Sequence, residues 1–123
     1  MLLLQARKGV RLQGASVPIA AAATPVTIFQ LSNFAQQLGT KSFRVKRIMI
    51  SNANGGNNFI QLGTGLGVGF AAVLPDIMTV NNMDNEIGEE QIPETEFFQD
   101  LTATAPVLGA GTINIQVEVE ELG

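Results

Sequence analysis

Cysteine, histidine, tryptophan and tyrosine are all missing from this chain of 123 residues. Without cysteine or histidine there is no usual ligand set for zinc or iron–sulfur, no thiol nucleophile and no histidine-based triad. The absence of cysteine also leaves no mark of redox compartment. Seven phenylalanines are the whole aromatic complement, a poor supply for stacking on sugars. Long apolar runs are lacking as well, so nothing approaches the ~20 residues of a membrane span. Met1–Gln5 is too short for a signal-peptide core, and its positive charges follow it. The later apolar run, 17–23, is broken by Pro18. Synthesis in the cytoplasm without an export signal is the expectation, and no membrane partner is expected.

Charge is scarce in places and sorted where present. The seven basic residues, Arg7, Lys8, Arg11, Lys41, Arg44, Lys46 and Arg47, all lie in the first 47 positions. The eleven acidic residues all lie between Asp76 and Glu121, and residues 48–75 carry no charge. Net charge is −4, which argues against a nucleic-acid partner: such domains are basic and often interleave stacking aromatics.

What remains is rich in glycine and asparagine. Residues 51–69 hold Asn52, Asn54, Asn57 and Asn58 together with Gly55, Gly56, Gly63, Gly65, Gly67 and Gly69. A dinucleotide fingerprint needs glycines at i, i+2 and i+5 before a helix, whereas here they recur every second residue from Gly63. A P-loop needs a lysine, and none follows Arg47. Turn chemistry fits better. Asn54-Gly55 suits the two positive-φ positions of a tight hairpin turn. Alternating glycines leave one face of the next strand bare, where another backbone can approach.

Strand patterns fill the rest. Residues 112–121 alternate strictly, with Ile113, Ile115, Val117 and Val119 on one face and Asn114, Gln116, Glu118 and Glu120 on the other. Burying those four side chains contributes about 6–12 kcal/mol gross. Residues 42–51 form a strand whose phase slips at Lys46-Arg47, as at a β-bulge. Further strands are expected at 10–12, 26–31, 57–63, 67–73, 75–80 and 97–104, with 86–93 ambiguous and a short helix after Ser32 or Asn33 ending at Gly39. Turns at about 8–12-residue intervals mark a sandwich or barrel. The expected fold is all-β: an antiparallel two-sheet β-sandwich, jelly-roll-like, of seven or eight strands. Residues 25–123 would form it, and residues 1–24 an extended N-terminal arm or an edge segment.

Candidate chemistry is thin. Asp84, Glu86, Glu89 and Glu90 cluster, but an EF-hand loop requires glycine at its sixth position and Glu89 stands there. No catalytic residue, metal or cofactor is expected. Exposed ion pairs stabilise a fold by only about 0–1 kcal/mol each, so sorted charge suggests contacts between copies, with pairing between neighbouring strands of one chain as the alternative. Candidate interface residues are the seven basic ones, Glu89, Glu90, Glu118, Glu120 and Glu121, with Gly65 and Gly67 for close approach.

The arm of residues 1–24, the strand Arg47-Ile-Met-Ile-Ser-Asn52 entering a Gly/Asn hairpin, and the closing strand 113–119 together resemble small virion proteins. The similarity is to the β-sandwich head decoration (cement) and jelly-roll capsid proteins of tailed phages. That resemblance implies a homo-oligomer, commonly a trimer, seated on the major capsid protein of a shell, with the arm reaching a neighbour and no catalysis. The competing expectations are a module binding carbohydrate or calcium through Asn52, Asn54, Asn57, Asn58 and the segment 84–90, and another virion part such as a tail or fibre protein.

Overall fold

The computed structural model describes residues 10–12, 17–31, 42–109 and 111–122. Among these described residues ten strands are formed: β1 (Val10–Leu12), β2 (Val17–Ile19), β3 (Val26–Phe29), β4 (Ser42–Ala53), β5 (Asn58–Thr64), β6 (Ala71–Ala72), β7 (Ile77–Thr79), β8 (Asp84–Ile87), β9 (Leu101–Thr104) and β10 (Thr112–Leu122). All pairings are antiparallel. One sheet runs β1-β10-β4-β8, with β2 also on β10; the other runs β3-β9-β5-β6, with β7 also on β5.

The order has a simple logic. β1 and β2 lie along the same partner, as do β6 and β7, so each pair is one interrupted strand. The break in the second is visible: the N–H groups of Val73 and Leu74 both donate to the Leu62 carbonyl, at 2.9 and 3.1 Å. Eight strand positions remain, and in chain order the sheets read 1-8-3-6 and 2-7-4-5. First pairs with eighth, second with seventh, third with sixth and fourth with fifth. This is one long hairpin rolled into a double-sheet jelly roll. The expected seven or eight strands correspond to these eight positions.

The inner faces meet in a single core. Ile113, Ile115, Val117 and Val119 of β10 are fully buried, against Ile60 and Leu62 of β5 and Leu101 and Ala103 of β9. The slip read at Lys46-Arg47 is a bulge: Glu118 faces Arg47 and Val119 faces Val45, so Lys46 is the extra residue. It reconciles Phe43 and Val45 with Ile48 and Ile50, all of which point inward. Phe43 stacks on Phe97 at 5.4 Å between ring centroids and meets Phe29 edge-on at 5.2 Å.

Local expectations are resolved or corrected. Of arm and edge segment, residues 17–19 take the edge: they pair with β10, and Ile19 is fully buried. Pro18 is tolerated because β2 lies at a sheet edge, where a missing N–H costs no ladder bond. The β4–β5 turn spans 54–57, and only Gly55 there has positive φ, +94°. Residues 67–69 form a 3₁₀ turn, so no bare-faced strand exists; Gly63 is tight against the β6 backbone of its own chain instead. The ambiguous 86–93 segment divides into β8 and a 3₁₀ turn at Glu89–Gln91. The helix expected after residue 32 falls outside the described residues.

Candidate functional site

The sorted charges of the sequence become neighbours in space. β4, which carries Arg44, Lys46 and Arg47, lies between acidic β10 and acidic β8. On the outer face of that sheet Arg44 Nε donates to Glu120 Oε1 at 2.7 Å, while its two terminal nitrogens reach Glu89 and Glu94 at 3.2 and 3.0 Å. Lys46 Nζ is 2.6 Å from Glu89 Oε2, and Arg47 bridges Glu86 at 2.9 Å and Glu118 at 3.2 Å. Hydrogen bonds to Glu120 and Glu94 raise the pKa of Arg44, those to Glu86 and Glu118 raise that of Arg47, and the Lys46 hydrogen bond lowers that of Glu89. For Arg44, Lys46 and Arg47 the segregation is strand alternation within one chain, the alternative named above.

Other interface candidates scatter. Glu90 is exposed beside this network, with its carboxylate folded over Gly88. Glu121 is no surface group: it continues the inward face of β10 and is 3% exposed. Gly65 (φ +87°) lies against the Gly69 carbonyl of its own loop, whereas Gly67 (φ +60°) faces open space. Arg11 lies in β1 opposite Val119. Its side chain, and residues Arg7, Lys8 and Lys41, lie outside the described residues.

The asparagines are occupied too. Asn52 Nδ2 donates to Thr79 Oγ1 at 2.7 Å and to the Gly56 carbonyl at 3.1 Å. Asn54 Nδ2 donates to Asn52 Oδ1 and to the Gly56 carbonyl, while Asn54 Oδ1 accepts from the Gly109 N–H at 2.9 Å. Asn58 Nδ2 reaches the Val107 carbonyl at 2.7 Å, and Asn57 Oδ1 accepts from the Asn81 N–H at 2.9 Å. Asn81 Oδ1 in turn accepts from Gly55 N–H at 3.0 Å, and Ala23 N–H donates to the Ala105 carbonyl at 2.8 Å. Four loops, 20–25, 54–57, 80–83 and 105–109, are tied together at one end of the sandwich. Most of their amide groups are committed to one another or to loop backbone, while Asn58 Oδ1 is buried without a hydrogen-bond partner among the described residues.

Sequence reasoning missed this end as a unit. None of its residues is charged, and it exposes Val80, Met83 and Val107. The signal existed as four separate uncharged turns, which only the rolled topology brings together. The opposite end exposes Leu66, Val68 and Phe98. Between the sheets, beside β7 and β8, an apolar hollow of about 250 Å³ is floored by Ile48, Leu74 and Ile92, with Asp76 in its lining. It is smaller than the roughly 300–1,000 Å³ of small-molecule sites. Among the described residues no group of three or more His, Cys, Asp or Glu could hold a metal ion.

Fold and surfaces define a jelly-roll β-sandwich whose polar side chains largely serve its own architecture. No family model and no curated protein matches the chain. Among solved structures it is similar to a chain from Bacillus endospore appendages, described as a novel family of disulfide-linked pili. That likeness is 14% identity over 98% of this chain and 94% of the other, at a TM-score of 0.48. A likeness of this degree assigns neither family nor role.

Proposed function

We propose that this chain is a structural subunit that assembles with copies of itself on a larger particle and performs no catalysis. One observation carries the reading: charged and amide side chains largely pair within the chain, while both ends expose large apolar side chains. β4 cations engage Glu86, Glu89, Glu94, Glu118 and Glu120, and the asparagines lash loops together. Val68 and Phe98 at one end, and Val107 at the other, present apolar surface to solvent. Such surface marks contact sites.

The fold by itself does not choose among capsid, lectin and cupin roles. The finer reading is a head decoration protein of a tailed-phage shell, located in the virion and bound to the major capsid protein. It rests on the resemblance of residues 47–52 and 113–119 to that class. Electron microscopy of the purified chain, alone and mixed with empty phage heads, tests both levels. Discrete oligomers that add density to the shell are expected. A monomer that ignores the shell but melts higher with calcium, or binds a glycan array, would overturn the proposal in favour of a ligand-binding module.

A further inference from the structure

Of the nine asparagines in the chain only Asn54 precedes a glycine. Asparagine is among the thermolabile residues, and a following glycine has no Cβ to keep its nitrogen from the side chain before it. The reaction is intramolecular. Gly55 backbone nitrogen gives up its proton to water and attacks Asn54 Cγ. The N–Cγ bond forms, the Cγ–Nδ2 bond breaks and ammonia leaves. Water then opens the resulting succinimide to an aspartyl or isoaspartyl linkage.

Both reacting groups are restrained in the fold. Gly55 N–H donates to Asn81 Oδ1 of the 80–83 loop at 3.0 Å, which holds the proton that must leave. Asn54 is 2% exposed, and its Nδ2 donates to Asn52 Oδ1 and, at 3.0 Å, to the Gly56 carbonyl. Its Oδ1 accepts from Gly109 N–H at 2.9 Å. We propose that Asn54-Gly55 is a latent modification site, closed while the 54–57 and 80–83 loops are joined and converted to a carboxylate when they part. Conversion is one-way for the fold. A carboxylate only accepts hydrogen bonds, so at position 54 it faces Asn52 Oδ1 and the Gly56 carbonyl with no proton between them. It is also a charge in a buried place. A chain that opens long enough to convert does not regain the original loop cluster.

Peptide mass spectrometry of the full chain, aged at neutral pH and physiological temperature, follows conversion at residue 54. Native wild type should convert at least about tenfold more slowly than wild type held unfolded in urea, since only opened molecules react. Asn81→Ala should convert roughly two- to tenfold faster than native wild type, the population equivalent of one hydrogen bond. Asn81→Asp keeps an acceptor oxygen for Gly55 N–H and should restore slow conversion. Ile115→Val, a small truncation of the core, controls for general loss of stability and should leave the rate unchanged. Should Asn81→Ala fail to fold, Asn57→Ala takes its place, because it loosens the same loop by freeing Asn81 N–H. Equal rates in native and unfolded wild type overturn the proposal, as does a loop variant converting no faster than Ile115→Val. Asn54→Asp should melt below wild type, and an equal melting temperature would overturn the one-way conversion.

Discussion

At the scale of single residues, the asparagines show how side-chain type and position divide. Asn54 and Asn57 stand three apart in one turn, yet Asn54 is 2% exposed and Asn57 is open to solvent. Replacing Asn54 with Ala strands the Gly109 N–H inside the loop cluster, an expected loss of about 1–3 kcal/mol. Asn57→Ala removes one exposed bond and should cost less than about 1 kcal/mol. Urea denaturation with an unchanged m-value checks the contrast; equal costs would mean the network does not hold the loops. The turn was legible from Asn-Gly at 54–55. Its geometry was not, because the loops that bond Asn54 and Asn81 lie far away in sequence.

At the scale of elements, the network across β10, β4 and β8 makes stability depend on pH. Glu89 has its pKa lowered from an ordinary value of 4.5, first by Lys46. A lowered carboxylate stabilises the fold fully above that ordinary value, and the contribution is lost as pH falls through the folded-state pKa beneath it. Urea midpoints measured from pH 7 down to pH 3 should therefore stay level and then fall below about 4.5. In Lys46→Met the fall over that window should be shallower, since the largest cause of the shift is gone. Identical acid limbs would place the loss elsewhere. The long strands here were plain in the sequence: β10 by strict alternation, β4 by alternation with a slip at Lys46. Why positive and negative halves should be segregated was not, because the answer is which strand lies between which.

At the scale of the molecule, the sandwich is closed by its two ends. Residues 10–12 and 17–19 run beside β10, so of arm and edge segment the edge holds where the chain is described. Pro18 and the alanines after it hid the strand, since neither has strand propensity. Ile19→Ala should accordingly cost about 2–5 kcal/mol, as for other buried isoleucines. A neutral thermal-melt result would return residues 17–19 to the role of a detachable arm. The rolled hairpin also governs how the chain folds. β10 is the partner of β1, β2 and β4, and β9 is the partner of β3 and β5. Both sheets therefore centre on strands far in sequence from most of their partners. Val10 meets Glu120 and Val26 meets Ala103, so loop-closure entropy is spent before these ladders return any stability. Folding should accordingly be slow, and an unfolded chain exposes unpaired strands in the meantime.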